Sequence, residues 1–251
     1  MATTVHVFDT MGTAVSVRSG DRLDPEAMRS VESVFDAFDR RFSLYRPDSE
    51  LSRIARGDLA LSRASGAVRD CYAEALEWGR RSDGAFTPHR PDGIVDLSGI
   101  VKADAIAAAG GVLDGAGIAD WLLNAGGDIL ARGDHAGEAW RLGIVDPSVR
   151  DALLCTVTLG GLGRALATSG TAERGEHIWR HGPADYRQVS VVAGDIVTAD
   201  VLATAILAGG RRVCDSVAGR FDVDILTVDG DGEMTATTGI RAALGMTAPS
   251  T

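Results

Sequence analysis

The sequence contains almost no lysine and few cysteines. A single lysine, Lys102, occurs among 25 lysine and arginine residues, and 35 acidic residues give a formal net charge of −10. Because nucleic acids and anionic membranes attract basic surfaces, this balance argues against both as nonspecific partners. Only Cys71, Cys155 and Cys214 are present, and their scatter is typical of reduced thiols in a cytosolic protein rather than of a disulfide or zinc framework.

Membrane-spanning and export signals are also missing. No apolar run approaches the roughly 18 residues of a transmembrane helix. Met1 leads directly into the alternating stretch Thr3–Asp9, without the basic and apolar regions of a secretory signal. We therefore expect a cytoplasmic protein without a membrane anchor. Hydrophobic residues make up 45% of the chain and charged residues 24%, which predicts a folded globular protein.

The hydrophobic patterns predict one α+β domain across residues 1–251. Alternation in Thr3–Asp9 and Thr13–Arg18 predicts a hairpin, and the Asp24-Pro25-Glu26 sequence has the cap, proline and acid that begin a helix. A mixed or antiparallel sheet flanked by helices is expected. Further helices are predicted from Ser49 onward and at Ala67–Arg81, Ile100–Leu113 and Ala199–Leu207. Further strands are predicted at Trp121–Leu123, Ile129–Ala131, Arg141–Val145, Leu153–Leu159, Ala165–Thr168, Gln188–Ala193 and Asp222–Val228.

The segment Gly93–Lys102 is a candidate anion site. A strand is predicted to carry Asp96 to a Ser-Gly turn, after which a helix begins and carries Lys102 in its first turns. Backbone N–H groups at a helix start bind anions and a lysine adds a positive charge, which suits a phosphate or pyrophosphate. The alternative is an ordinary strand-to-helix corner with Asp96 as a cap and Lys102 in solvent. The spacing of a P-loop is absent.

Two other patterns place oxygen ligands beside a flexible backbone or on one helix face. The glycines of the Asn124–Asp128 segment would let a ligand approach the backbone, with Asp128 holding a polar group, or would form a plain tight hairpin. Asp200 and Thr204 are four residues apart on a predicted helix, so their oxygens can converge on Mg²⁺. The alternative is that Asp200 caps the helix and Thr204 bonds to the helix backbone.

Histidine and serine patterns are less specific. His177 follows a Thr-Ser-Gly-Thr segment and could act as a general base near neutral pH, although a lone histidine is more often structural. Ser169 lacks the Gly-x-Ser-x-Gly context of a hydrolase nucleophile. The other histidines, His6, His89, His135 and His181, show no metal-ligand spacing.

Taken in order, these motifs resemble the ApbE family, the FAD:protein FMN transferases. The likeness extends from about residue 8 to about residue 210, and the Gly-Gly-Asp-Ile and Asp-x-x-x-Thr elements are its most specific parts. The matching segments are Met11–Thr13, Phe42–Tyr45, Ser49–Leu51, Gly84–Pro88, Val95–Lys102, Asn124–Ile129, Ala167–Gly170, His177-Ile178 and Ala199–Ala205.

The resemblance implies a reaction and a set of site residues. Such enzymes bind FAD and Mg²⁺, cleave the FAD pyrophosphate, join FMN through a phosphoester to a Ser or Thr of an acceptor flavoprotein, and release AMP. The implied metal ligands are Asp200, Thr204 and the backbone carbonyl of Gly99, and His177 is the implied base. The implied FAD contacts are Met11, Tyr45, Ala85, Phe86, Thr87, Asp96 and Lys102. Among these, Tyr45 is expected to stack on the isoalloxazine ring.

One departure from the family pattern keeps two alternatives open. The family's His-Ile-x-Asp-Pro motif appears here as the segment His177–His181, which lacks the Asp-Pro pair. The altered segment contains the implied base, so it bears on transfer more than on FAD binding. One alternative is an FAD-binding protein without transferase activity. The other is an FAD pyrophosphatase, in which water is the acceptor and FMN and AMP are released.

Overall fold

Ten strands and six α-helices form the described part of the chain, which in this computed structural model comprises residues 3–149, 151–160, 164–170 and 184–243. A short 3-10 helix lies at Leu61–Arg63. The helices are α1 Pro25–Phe42, α2 Glu50–Ala55, α3 Gly66–Arg81, α4 Ser98–Gly115, α5 Ile196–Arg220 and α6 Thr238–Ala243. The strands are β1 Thr4–Thr10, β2 Thr13–Ser19, β3 Trp121–Ala125, β4 Asp128–Arg132, β5 Arg141–Val145, β6 Leu153–Thr158, β7 Ala165–Gly170, β8 Tyr186–Ala193, β9 Asp224–Asp229 and β10 Met234–Ala236.

The main sheet has eight strands in the order β1-β2-β3-β4-β7-β8-β9-β10. Each neighbouring pair within it is antiparallel. Strands β5 and β6 pair with each other as a separate antiparallel ribbon. The predicted α+β class with a mixed or antiparallel sheet and flanking helices is therefore confirmed, and the described pairings are all of the antiparallel kind.

The two faces of the main sheet are covered differently. Helices α1, α4 and α5 pack on one face, to which strand alternation directs the fully buried Val15 and Val17. On the opposite face a smaller apolar cluster joins Leu122 and Leu166 of the main sheet to Ile144 of the β5–β6 ribbon. The chain is thus layered as helices, sheet and ribbon, and a residue's position in a strand decides which layer it meets.

Local signals correctly predicted where the first helices begin. The Asp24 carboxylate accepts a hydrogen bond from the Ala27 N–H at 3.4 Å, and Pro25 takes the first helical position of α1. The Ser49 hydroxyl accepts from the Ser52 N–H at 2.9 Å and caps α2 in the same way. Such caps satisfy N–H groups that have no partner within the helix, so their position is readable from sequence alone.

The predicted strand before Asp96 is wrong. Between α3 and α4 the chain forms a loop in which Val95 makes only an isolated bridge to His89. Two prolines, Pro88 and Pro91, lie in this loop and cannot donate to a strand ladder, which explains why regular pairing does not extend through it. Asp96 therefore reaches the start of α4 from a loop.

Helix α5 extends well past the predicted Ala199–Leu207 range and is broken at Gly210, whose φ is +68°. The Asp185 carboxylate accepts a hydrogen bond from the Arg211 N–H at 2.8 Å and so caps the second segment of the helix. Although α5 is the longest helix, neither it nor any other helix of the described ranges combines the length and apolarity needed to cross a bilayer.

A half-buried carboxyl between α3 and α4 is expected to make stability depend on pH. Burial, with a smaller contribution from Glu74, raises the pKa of Asp104 to about 6, while the Cys71 thiol donates to Asp104 Oδ2 at 3.7 Å. Because the folded-state pKa lies above the unfolded value of about 3.9, the folded protein binds the proton more tightly. This contribution is therefore present below about pH 4 and is lost as the pH rises through 6.

Asp104→Asn is accordingly expected to raise the free energy of unfolding at pH 7.5 by about 1–2 kcal/mol. The gain should shrink at pH 4.5, where the wild-type carboxyl is protonated in the folded state. Urea denaturation at both pH values measures the difference, with Asp70→Asn on the exposed face of α3 as the control. An equal effect of Asp104→Asn at both pH values would contradict this assignment.

Candidate active site

Three elements that are far apart in the sequence bring one lysine and two carboxylates together. Lys102 lies on α4, Asp128 begins β4 and Asp200 lies on α5. The Lys102 ammonium contacts Oδ2 of Asp128 and lies 3.7 Å from Oδ2 of Asp200. The Asp128 side chain is fully buried and that of Lys102 is 13% exposed. Buried charges persist only when they are paired, so each charge in this Lys102 cluster depends on the others.

The Lys102 cluster carries more negative than positive charge, and it has further oxygen atoms beside it. Thr204 follows Asp200 by one helical turn, and its hydroxyl lies 3.1 Å from the hydroxyl of Ser169. Carboxylate and hydroxyl oxygens are ligands that Mg²⁺ prefers, and a divalent cation would offset the excess negative charge. Within the described ranges no three His, Cys, Asp or Glu side chains form a metal cage. A cation here would therefore also need carbonyl, water or phosphate oxygens.

The main sheet holds Asp128 through the carboxylate oxygen that does not contact Lys102. Its Oδ1 accepts a hydrogen bond from the Thr168 N–H at 3.1 Å. The Thr168 hydroxyl in turn lies 2.8 Å from that of Ser190. Asp128 thus fixes the position of the lysine ammonium. Sequence reasoning considered Asp128 as a possible polar-group binder but did not include it in the site, although a charge at the first position of a buried strand was a usable signal.

The start of α4 brings several predicted site residues together. Oδ1 of Asp96 accepts from the Ser98 N–H at 2.9 Å, and the Asp96 N–H donates to the Pro88 carbonyl at 2.8 Å. The Phe86 ring packs directly on Gly99, where an added Cβ would lie only 2.9 Å from the ring. The predicted segments around Phe86 and Asp96 are therefore adjacent at the beginning of the helix that carries Lys102.

The side chains of the Ala85–Thr87 segment are mostly turned away from solvent. Ala85 is 8% and Phe86 4% exposed, so a ligand at this segment would meet mainly its backbone. The Thr87 hydroxyl accepts from the His89 N–H at 3.1 Å, which holds the following loop residue. The predicted FAD contacts of this segment stay a prediction, and they would have to involve mainly its backbone and shape.

Tyr45 and Met11 lie on other elements than those that form the Lys102 cluster. Tyr45 is 85% exposed on the loop between α1 and α2, so its ring is open to a stacking partner. Met11 occupies the turn between β1 and β2 with φ of +48° and is partly buried. No hydrogen bond or ring contact of the described residues joins either side chain to the cluster. His177, the predicted base, lies outside the described residues.

Comparison with sequences of known proteins identifies relatives of one kind. The sequence model of the ApbE family matches residues 11–90 and 89–226. An FAD:protein FMN transferase of Rhodobacter capsulatus is 34% identical over 163 residues, which are 60% of this chain and 31% of the relative. The match thus spans about a third of that relative's length. An FAD:protein FMN transferase of Salmonella typhimurium is 26% identical over 294 aligned positions, covering 89% of this chain and 83% of the relative.

Solved structures share the fold over almost the whole chain. Flavin transferase ApbE from Vibrio cholerae has a TM-score of 0.80 at 22% identity, covering 97% of this chain and 99% of that one. The ApbE protein from Thermotoga maritima has a TM-score of 0.80 at 19% identity, with the same two coverages. The apo form of flavinyl transferase ApbE from Pseudomonas stutzeri has a TM-score of 0.79 at 20% identity, covering 98% of each chain. Since the family's sequence model also matches most of the chain, this protein belongs to the ApbE family.

Proposed function

We propose that residues 1–251 act as one domain that transfers FMN from FAD to a Ser or Thr of an acceptor flavoprotein. Family membership and two relatives named FAD:protein FMN transferase support this proposal. The structural observation that carries it is the buried Lys102 cluster, which sets Lys102 and Asp200 beside Thr204. A buried group with an excess of negative charge and oxygen ligands suits a divalent cation, and such a cation would supply the charge neutralisation that a reaction at a pyrophosphate needs.

The Lys102 cluster and the start of α4 would each bind a different part of FAD. Lys102, positioned by Asp128, would supply positive charge to the pyrophosphate, and Asp96 would contact the nucleotide at the helix start. Asp200, Thr204 and the Gly99 carbonyl would hold Mg²⁺. When bound, Mg²⁺ would stabilise negative charge on the phosphate oxygens. Tyr45 would stack on the isoalloxazine, and Met11 and the Ala85–Thr87 segment would contact the rest of the flavin nucleotide.

The proposed reaction exchanges the phosphoanhydride bond of FAD for a phosphoester bond to the acceptor. The acceptor hydroxyl oxygen bonds to the phosphorus on the FMN side, the bridging bond to the AMP phosphate breaks, and AMP leaves. His177 would take the proton of the attacking hydroxyl. Because phosphoryl transfer is governed by alignment and charge neutralisation, the rigid attachment of Lys102 to Asp128 contributes through positioning.

A single incubation tests the proposal. The purified protein is mixed with FAD, MgCl₂ and candidate acceptor flavoproteins, and the products are separated into FAD, FMN, AMP and protein. Transfer predicts a fluorescent protein band that survives denaturation, together with AMP, and neither product when EDTA is added. Free FMN and AMP without a labelled protein would indicate pyrophosphatase activity instead. Intact FAD after long incubation would indicate a binding protein.

His177→Ala is expected to slow FMN transfer by about 10²–10⁴-fold, the usual contribution of a general base. FAD affinity should stay close to that of the wild type, because the proposed role concerns the acceptor proton. Single-turnover transfer rates and FAD titration measure the two quantities. His181→Ala, four residues along the same segment, is the matched control and should transfer at nearly the wild-type rate. Equal rates for His177→Ala and the wild type would place the base elsewhere.

A further inference from the structure

A groove follows strand β5 on the ribbon side of the main sheet. It consists of two cavities, of about 370 Å³ and about 100 Å³, and Gly143 in the middle of β5 lines both. The larger cavity lies between β5 and the main-sheet residues Leu122 and Asn124. The smaller one continues toward the glycine turn at Gly127. The groove is thus long enough to follow the whole of β5.

The edge of β5 that faces away from β6 has backbone groups suited to another strand. Within the described residues β5 pairs with β6 alone. The Leu159 N–H donates to the Trp140 carbonyl at 2.8 Å. Because bonding residues alternate along an antiparallel pair, Leu142 and Ile144 also bond to β6. The N–H and C=O groups of the intervening Arg141 and Gly143 therefore point to the other edge. At the end of β5, Gln188 Nε2 of β8 donates to the Val145 carbonyl at 3.0 Å, so the template for strand pairing consists of the Arg141 and Gly143 groups.

Exposed apolar side chains flank this groove on both sides. Val5 and Val7 of β1 are 49% and 61% exposed. They lie on the ribbon-side face of the sheet, and Val5 pairs with Arg18, which lines the larger cavity. On the ribbon itself, Val145 and Leu153 are direct cross-strand partners and are 44% and 61% exposed. Exposed apolar pairs of this kind on either side of a groove can supply contacts to a bound partner.

One end of the groove reaches the end of the main sheet at which the Lys102 cluster lies on the opposite, helix-covered face. The smaller cavity is lined by Gly127, which directly precedes Asp128, and by Thr168, whose N–H donates to that carboxylate. Gly170 also lines it and follows Ser169, whose hydroxyl contacts Thr204. A chain that follows β5 in this direction arrives at the Gly127 turn, and by passing around this end of the sheet it would meet the proposed transfer site.

The charge of the other end indicates what kind of chain would bind. Arg18 and Arg141 line the larger cavity together with one carboxylate, that of Glu138. This local excess of positive charge lies on a protein whose formal net charge is −10. Asp146 lines the smaller cavity, so the positive excess belongs to the larger cavity alone. Complementary charge steers partners and fixes their register, so a segment that is acidic where it meets the larger cavity suits the groove better than a basic one.

We propose that an extended, acidic segment of the acceptor protein pairs with the outer edge of β5 as a third strand and so carries its Ser or Thr to the Lys102 cluster. The inference rests on the proposed function and names the surface that recognises its protein substrate. In such strand addition, main-chain hydrogen bonds supply affinity and side-chain pockets supply selectivity. Here Gly143 supplies the main-chain groups at the centre of the edge, and the exposed valines supply the apolar contacts.

Two substitutions at Gly143 isolate the main-chain contact. Gly143→Pro removes the outward N–H without removing a bond to β6, and proline is tolerated at a strand edge. Gly143→Ala adds a Cβ against the Leu153 side chain, as proline does, but keeps the N–H. The probe is a synthetic peptide of about ten residues centred on the hydroxyl residue that is labelled in the transfer assay. We expect kcat/KM for this peptide to be about tenfold lower in Gly143→Pro than in Gly143→Ala, with similar FAD affinity in both.

Amide hydrogen exchange of the wild-type protein provides a test that requires no substitution. Saturating peptide should slow exchange at Arg141 and Gly143 more than at Leu142, which already bonds to β6. Equal transfer by the two Gly143 variants, with no added protection at these amides, overturns the surface but leaves the proposed function standing. If the whole acceptor protein is labelled but its peptide is neither bound nor labelled, the proposed surface is also overturned. Absence of any FMN transfer by the wild type overturns both.

Discussion

Asp200→Asn is expected to lower FMN transfer in the presence of Mg²⁺ by roughly 10²–10³-fold, as removal of one group that stabilises transition-state charge does in other enzymes. Asp200 lies beside Thr204 and the Lys102 ammonium, and it is the proposed acidic ligand of the cation. Neutralising it removes most of the charge that this part of α5 offers to Mg²⁺. Initial transfer rates over a range of MgCl₂ concentrations measure the effect, and the concentration at half-maximal rate should rise.

The control for this prediction lies on the same helix. Asp215 is exposed on the second segment of α5, so Asp215→Asn makes the same chemical change away from the Lys102 cluster. Its transfer rate and Mg²⁺ dependence should match those of the wild type. Circular dichroism melting of both variants separates loss of function from loss of fold. Full Mg²⁺-dependent activity in Asp200→Asn would show that the metal is held by other groups.

Lys102→Met is expected to lower the free energy of unfolding by about 3–5 kcal/mol. The change leaves Asp128 and Asp200 without the ammonium that they share, and Asp128 is fully buried. A buried charge without a partner has lost its hydration and has no ion pair to compensate for it. Removing one partner of a buried pair is therefore strongly destabilising. Urea denaturation followed by circular dichroism gives the difference in stability.

A double variant shows whether this loss comes from charge. Lys102→Met combined with Asp128→Asn removes one positive and one negative charge, so it should be more stable than Lys102→Met alone. Lys102→Arg keeps the positive charge, but a planar guanidinium does not fit the place of a compact ammonium. It should therefore fold yet bind FAD more weakly in fluorescence titration. If Lys102→Met were as stable as the wild type, the Lys102 cluster would have no structural role.

The parts of the fold that follow from neighbouring residues were predictable. Asp24 and Pro25 lie next to the helix that they begin, and the glycine turn before Asp128 lies between the two strands that it joins. Helix caps and tight turns form through interactions among a few consecutive residues, because they satisfy backbone groups locally. The continuation of α5 past Gly210 was not predictable, since it depends on a cap from Asp185, which lies before β8 and is 26 residues from Arg211.

The same distinction applies to the site. Asp200 and Thr204 were predicted as a pair because one helical turn joins them. The pairing of Lys102 with Asp128 was not predicted, because it requires α4 to pack on the face of β4. Sequence reasoning placed Lys102 with Asp96, its neighbour along the chain, and the structure adds the buried carboxylates as its ion-pair partners. No local pattern contains that information.

The three charges of the Lys102 cluster also have a consequence for the order of folding. They come from a helix, a hairpin and a second helix, at residues 102, 128 and 200, so their contacts are long-range in sequence. Closing such long loops is entropically unfavourable and tends to happen late. The Lys102 cluster can therefore exist only once α4, β4 and α5 have docked, and a partly folded chain has no assembled cluster to offer to a ligand. Binding competence in this protein is a property of the completed topology rather than of any segment of it.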